Sequence, residues 1–333
     1  MDGLRKQQVS LRGSSAKEIT RDALLEKVAQ EREFRNYMRR ATAASLFIQR
    51  VWRRYASTKM VATHLREEWK EMLKCHSVPM NRAWISNKLL KPFLFFITTL
   101  ATRRQRFEDQ DVDCMQICFK ILLESINSSD PQRNFCTLAT SNMEERRTWT
   151  YQAKKLISLC IHILSKCDYS CQEGHQHILL TSMAMRFLVS LTDLKGWKTF
   201  DDVTLQDADT SVKDLVSYMC SEKSQLYISI RKYLSRLDVP FSSTASHTDD
   251  RFLITASAIT LALRPFNNGN MNMEFAVEHY FVLLLTVPWF TQRLPPVLLS
   301  AIKHKSILSP CFKQILVMAD IKRENFIRDF KVE

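Results

Sequence analysis

The chain has 333 residues, of which 45% are hydrophobic and 25% charged, a composition typical of a folded protein with a sizeable core. Five glycines and nine prolines are too few for the many tight turns of an all-β or doubly wound α/β protein of this length. The composition therefore predicts an all-α fold.

The net charge of +13 is concentrated in one part of the chain. Residues 32–66 contain nine Lys and Arg residues but a single acid, Glu33. A local excess of this kind predicts contact with one acidic partner surface.

The sequence of the N-terminal quarter of the chain predicts a long basic helical segment over residues 15–78, preceded by a flexible N-terminus over residues 1–14. Ser15 and Glu18 have the spacing of a capping box at a helix start. Because neither glycine nor proline occurs between Ser14 and Val78, the segment can form one helix or two to three helices with short breaks.

Residues 79–333 contain apolar segments of helical length, which predict an irregular, armadillo/HEAT-like α-solenoid of stacked helical hairpins. No self-similar repeat is present. The final residues, "VMADIKRENFIRDFKVE", follow a helical pattern, so we expect the helical region to be truncated at this end. The predicted helices cover 81–105, 110–128, 144–167, 174–193, 209–220, 222–237, 249–264, 272–286, 291–305 and 310–329.

The apolar runs and the cysteines predict a cytoplasmic or nuclear protein without a membrane span. The longest apolar runs, "LLKPFLFFITTLAT" and "HYFVLLLTVPWF", are shorter than the roughly 18–20 residues that a span needs. Nine cysteines are scattered among apolar residues, and no segment resembles a signal peptide.

One stretch, "ATAASLFIQRVWRRYASTKM", has a narrow apolar stripe opposite a basic surface. At 100° per residue, one face holds the apolar side chains and the opposite face holds Arg50, Arg53 and Arg54. Calmodulin-like proteins close a Met-rich groove on such targets. The residues of the apolar face are Ala44, Ile48, Val51, Trp52, Tyr55 and Ala62.

The same stretch resembles the IQ motif over about residues 44–62. Ile48, Gln49 and Arg53 match the pattern, whereas Arg54 stands at the usual glycine and Thr58 at the last basic position, with Lys59 following. Two other interpretations remain open, a helix that packs within the chain and a nucleic-acid contact. The second lacks aromatic residues on the basic face, so we expect no nucleic-acid partner.

Other chemistry-bearing residues give weaker patterns. Cys167, Cys171, His175 and His177 are of types that can bind zinc, but all four lie in one segment, whereas closed sites draw ligands from two elements. We therefore predict no metal site and no cofactor. The cysteines flanked by apolar residues are expected to act as small core side chains. These cysteines are Cys114, Cys118, Cys136, Cys160, Cys220 and Cys311.

Five segments, in their order along the chain, carry a resemblance to a known family. They are "QVSLRGSSAKEITRDALLEKVAQERE", "AASLFIQRVWRRY", "KPFLFF", "CMQICFKILLESINS" and "LALRPF…LTVPWFTQRLP". Together they resemble the N-terminal region of HECT-type E3 ubiquitin-protein ligases, in particular the plant UPL class. The resemblance covers the whole chain but only the front part of such a ligase. It implies a transferase in protein ubiquitination whose cysteine accepts ubiquitin from an E2 in a C-terminal HECT domain.

No residue of this chain matches the catalytic cysteine of that family. Cys311 is followed by Phe312, but Pro310 replaces the threonine that precedes the family's cysteine. We therefore expect the HECT domain to be absent and the chain alone to be inactive, with E2 binding only through the missing domain. The alternative is a stand-alone calmodulin-binding adaptor. The predicted partner-binding residues are Ile48, Gln49, Trp52, Arg53, Arg54, Tyr55 and Lys59.

Overall fold

The computed structural model describes residues 21–74, 80–102, 104, 106–166, 175–194, 197, 202–237, 250–267 and six positions between 275 and 283. Within these residues every regular element is a helix, which confirms the all-α prediction. The elements are α1 (Arg21–Lys74), α2 (Arg82–Trp84), a π-helical stretch (Ile85–Leu90), α3 (Lys91–Leu100), α4 (Asp109–Ile126), a 3₁₀ helix (Phe135–Thr140), α5 (Met143–Lys166), α6 (His175–Leu191), α7 (Asp202–Met219), α8 (Leu226–Ser235) and α9 (Asp250–Asn267).

Most predicted helices correspond to observed ones, but several bounds differ. The N-terminal segment is one helix of 54 residues rather than two or three. The helix predicted to begin at 209 begins at Asp202. The six described positions between 275 and 283 are helical. The predictions for 291–305 and 310–329, and the capping box at Ser15 and Glu18, lie outside the described residues.

The helix predicted over 81–105 ends at Leu100 and is interrupted by the π-helical stretch just before Pro92. Proline has no N–H, and its ring clashes with the carbonyl group of the preceding turn in a regular helix. A π-type widening accommodates this locally. Two side chains satisfy carbonyl groups in the stretch: Gln152 Nε2 donates to Ser86 O at 2.8 Å, and Trp69 Nε1 donates to Leu89 O at 3.0 Å.

The chain divides into two compact units, Met1–Met60 and Val61–Glu333. In the described part of the first unit, every side chain is exposed except those of the half-buried Val28 and Thr58. The second unit holds a continuous hydrophobic core that begins at Ala62 and Trp69 and runs through α3 to α9.

The packing of the second unit does not confirm the solenoid-like arrangement. Helix α5 packs against α3, α6, α7 and α8, and helix α6 packs against α4, α5 and α9. In a solenoid each repeat contacts only its neighbours along the chain. Here α5 and α6 are shared by helices that are distant in sequence.

A buried ion pair anchors the C-terminal third of α1 in the second unit. Asp111 of α4 is fully buried; its Oδ1 lies 3.3 Å from Arg66 Nη1, and its Oδ2 lies 3.2 Å from Arg104 Nη1. The indole of Trp69 packs between Phe93 and Phe96, with ring centroids 5.7 and 5.6 Å away. Polar and aromatic contacts therefore fix the same helical turns.

We expect Asp111→Ala to lower the free energy of unfolding by about 3 kcal/mol, because it leaves the buried Arg66 with only the exposed carboxylate of Glu67, 3.5 Å away, as an acidic partner. Chemical denaturation of the full chain measures the change. The control is Asp113→Ala on the exposed side of the same helix, for which a change within about 0.5 kcal/mol is expected. Equal effects of the two variants would contradict the anchoring role of Asp111.

Candidate functional site

The predicted partner-binding residues lie together on α1 and are all exposed. Ile48 and Trp52 are 64% and 66% exposed, and Tyr55 is 44% exposed. The side chains of Gln49, Arg53, Arg54 and Lys59 are exposed as well. Large apolar side chains are normally buried, so a run of exposed ones on one helix makes this surface the candidate site of the described residues.

The apolar stripe has a defined geometry. The rings of Trp52 and Tyr55 lie 5.9 Å apart between centroids at a 39° tilt, which forms one aromatic surface beside Ile48 and Val51. Thr58, at the position where the IQ motif has a basic residue, donates its hydroxyl hydrogen to Arg54 O at 2.7 Å. This bond ties the Thr58 side chain to its own helix, as is common for threonine in helices.

Ala62, which the helical wheel placed on the same face, is not available to a partner. Its exposed fraction is 0%, and Arg66 and Trp69 further along that face are also buried. The part of the predicted motif that a partner can reach therefore ends before Ala62. The reason is tertiary, because Ala62 belongs to the core of the second unit.

The exposed apolar stripe extends further toward the N-terminus than the predicted motif, which begins at about residue 44. Phe34 and Tyr37 are 63% and 66% exposed, and Met38 and Ala41 are also exposed. The signal that reveals them is a spacing that alternates between three and four residues, as on the seam of a coiled coil. We define the seam as Phe34, Tyr37, Ala41, Ala44, Ile48, Val51 and Tyr55.

The arginines beside the seam have no acidic partner within the described residues. No carboxylate lies within ion-pair distance of Arg39, Arg40, Arg50, Arg53 or Arg54 in that part of the chain. Arg35 pairs with Glu31 at 3.7 Å, but both side chains are exposed, so this pair is screened by solvent. The surface around the seam is therefore positively charged and suited to an acidic partner.

The described cysteines of the second unit are not accessible for thiol chemistry. Cys114, Cys118, Cys136, Cys160 and Cys220 are free and buried, as the sequence predicts. Burial raises the pKa of Cys114 to about 11 and that of Cys220 to about 12. It raises the pKa of the other three thiols well above the ordinary value. A nucleophilic cysteine needs the opposite, an exposed thiol with a lowered pKa.

We expect these five thiols to resist alkylation in the folded chain. The raised pKa lowers the thiolate fraction of each cysteine near neutral pH, and burial excludes the reagent as well. Iodoacetamide labelling near neutral pH, followed by peptide mass spectrometry, measures the rate at each cysteine. The denatured chain is the control, in which all five should react at similar rates. Rapid labelling of any of the five in the folded chain would contradict their assignment as core side chains.

The candidate zinc ligands remain an untested pattern. Cys167, Cys171 and the side chain of His175 lie outside the described residues, as does Cys311. His177 is half-buried on α6. In the part of the chain that the structure describes, no group of three or more His, Cys, Asp or Glu side chains could hold a metal ion.

A second polar cluster lies at the C-terminal end of α5. His162 Nε2 donates to Thr102 O at 2.9 Å, and Lys166 Nζ donates to Thr102 O at 3.3 Å and to Arg104 O. The Lys166 amine also lies 4.6 Å from the centroid of the Phe107 ring. Desolvation lowers the pKa of both groups, and the Lys166 charge adds to the effect at His162. These contacts fasten the loop before α4 to α5 and occupy both side chains.

An open groove of about 620 Å³ lies along α5, with Arg146, Arg147, Tyr151 and Lys154 in its lining. Two of its basic groups are already paired with α7: Arg146 lies 3.5 Å from Asp207, and Lys154 lies 2.8 Å from Asp214. The groove therefore offers less uncompensated charge than the seam of α1 does.

Comparisons with protein-family models, with curated proteins and with solved structures find no match to this chain. Within the described residues, no helix combines the length and the apolarity needed to cross a bilayer.

Proposed function

We propose that this chain is the N-terminal, helical, partner-binding part of a HECT-type E3 ubiquitin-protein ligase and that α1 docks a calmodulin-type protein. The observation that carries the docking role is the exposed apolar stripe of Ile48, Trp52 and Tyr55 within a basic surface. The ligase assignment is supported by the order of the ligase-like segments along the sequence. Within the plant UPL class, that order resembles the seventh member.

The docking energy comes mainly from the apolar side chains. Complete burial of a large apolar side chain contributes about 1.5–3 kcal/mol, so burying the exposed fraction of each anchor contributes roughly 0.7–2 kcal/mol. The Met-rich grooves of calmodulin-type proteins adapt to such anchors. Their acidic surfaces meet the arginines, which speeds association and fixes orientation more than it adds affinity.

In the ligase, ubiquitin transfer to substrate lysines would take place in a HECT domain supplied outside this chain, and that domain would also bind the E2. The helical region would present substrates or regulators. The buried thiols of the described region fit this division, since none has the exposure that a thioester acceptor needs. A second candidate is a stand-alone adaptor without enzymatic activity, which the same exposed stripe supports equally.

We expect the double variant Ile48→Ala, Gln49→Ala to weaken the binding of calmodulin about tenfold or more, because it removes an anchor and the polar group beside it. Arg53→Ala should weaken binding at low salt and have less effect at high salt, because an exposed charge is screened. Isothermal titration of the full chain, with and without calcium, measures both effects.

The control for this experiment is Leu24→Ala, Leu25→Ala, which removes two exposed apolar side chains of the same helix outside the motif. This variant should bind as the wild type does. If the wild-type chain does not bind calmodulin under either calcium condition, the docking role is wrong.

A ubiquitin-thioester assay tests whether any cysteine of this chain accepts ubiquitin itself. We expect the chain, incubated with E1, E2 and ubiquitin, to form no adduct that a reducing agent cleaves, because its five described thiols are buried and no cysteine of the sequence matches the family's Thr-Cys pair. A known HECT domain in parallel is the positive control. A reducible adduct on any cysteine of this chain would show that it is itself a transferase.

A further inference from the structure

Two groups of exposed apolar anchors, rather than one, lie on the seam of α1 and directly beside it. The first group is Phe34, Tyr37 and Met38, and the second is Ile48, Val51 and Trp52. Phe34 and Ile48 are 14 residues apart, as are Tyr37 and Val51. At a rise of 1.5 Å per residue, 14 residues separate the two groups by about 21 Å. Two heptads return to within about 40° of the same direction, so both groups face the same side.

The structure limits how far a partner can extend in the other direction. Beyond Lys59 the same face of α1 continues through Ala62, Arg66 and Trp69, which are buried in the second unit. Arg66 is held by Asp111, and the Trp69 indole donates to Leu89 O. Exposing this face would break the buried ion pair and the aromatic contacts, so it offers no anchors to a partner.

We propose that the two-lobed acidic partner places one lobe on Ile48, Val51 and Trp52 and its second lobe upstream on Phe34, Tyr37 and Met38. This placement rests on the proposed docking function and specifies which surface of α1 the partner contacts. A footprint that continued from Ile48 toward the C-terminus would run into the covered face. The upstream group is the exposed apolar surface that continues the seam.

The charge along the seam supports an acidic partner over its whole length. From Arg32 to Lys59 there are eight Lys and Arg residues and one acid, Glu33. Arg35, Arg39 and Arg40 flank the upstream anchors as Arg50, Arg53 and Arg54 flank the downstream ones. Both lobes of an acidic protein would therefore meet a basic surface.

A second copy of this chain is a poorer occupant of the seam. In a parallel coiled coil, the residue before one seam position faces the residue four after that position on the other helix. This arrangement would place Arg54 opposite Lys59 of the second helix. Like charges at such positions oppose pairing, whereas an acidic partner satisfies them.

The test is isothermal titration of the full chain with calmodulin, with and without calcium, using three matched double variants. Phe34→Ala, Tyr37→Ala should weaken binding about tenfold or more at an unchanged stoichiometry of one to one. Met60→Ala, Val61→Ala removes two exposed apolar side chains at the other end of the motif and should leave the affinity unchanged. Leu24→Ala, Leu25→Ala should leave it unchanged as well.

Titration with each isolated lobe of calmodulin shows which lobe binds which group of anchors. One lobe should lose affinity for the Phe34→Ala, Tyr37→Ala variant and the other for the Ile48→Ala, Gln49→Ala variant. Wild-type affinity in the Phe34→Ala, Tyr37→Ala variant would overturn the upstream placement and leave the docking function standing. A loss in Met60→Ala, Val61→Ala, or a stoichiometry of two calmodulins, would also overturn it. If the wild-type chain does not bind at all, the docking function and the placement both fail.

Discussion

The burial of Ala62, Arg66 and Trp69 decides which part of α1 belongs to the core and which part is left for a partner. An isolated helix gains little stability from propensity alone, so a long helix depends on tertiary contacts along its apolar face. In α1 those contacts are concentrated after residue 61, where Asp111 neutralises Arg66 and the Trp69 indole is held by two phenylalanine rings and one carbonyl group. The preceding turns carry an apolar face of the same kind without such cover.

The exposed seam leaves apolar surface in contact with water, which is unfavourable, and the charged residues around it affect what can cover that surface. Exposed apolar stripes promote association, and a high local positive charge opposes association between identical copies. The arginines around Ile48 and Tyr55 thus disfavour self-assembly and favour an acidic partner. Apolar anchors and uncompensated charge on one helix argue for binding to a protein surface rather than for catalysis.

The sequence predicts the fold class well because strong 3.6-residue periodicity and scarce glycine leave few alternatives. It places α7 seven residues too late, because "DVTLQDAD" is rich in acidic and polar residues and resembles a loop. Burial of Ala208 and Val212 against neighbouring helices shows why this segment is helical. Pro92 is a local reason for the π-helical stretch that precedes it, but the side chains that bond to its carbonyl groups, Gln152 and Trp69, are distant in sequence and follow from no local pattern.

The candidate site is also predictable only where a local sequence pattern marks it. Ile48 stands out because it matches a motif position, and Trp52 and Tyr55 because they share its helical face; the structure leaves all three exposed. Phe34 and Tyr37 belong to no motif, although their three-and-four spacing was present in the sequence. That Ala62 is covered could not be predicted, since an exposed and a buried helical face have the same periodicity.

The departures from the IQ pattern coincide with the place where the cover of α1 begins. Thr58, which replaces a basic residue, is half-buried and bonded to Arg54 O, and four residues later Ala62 is fully buried. Ile48, Gln49 and Arg53, which match the pattern, lie where the helix is exposed. The match to the pattern and the exposure of the apolar face therefore end within the same two turns of α1, and the face stays exposed in the other direction as far as Phe34.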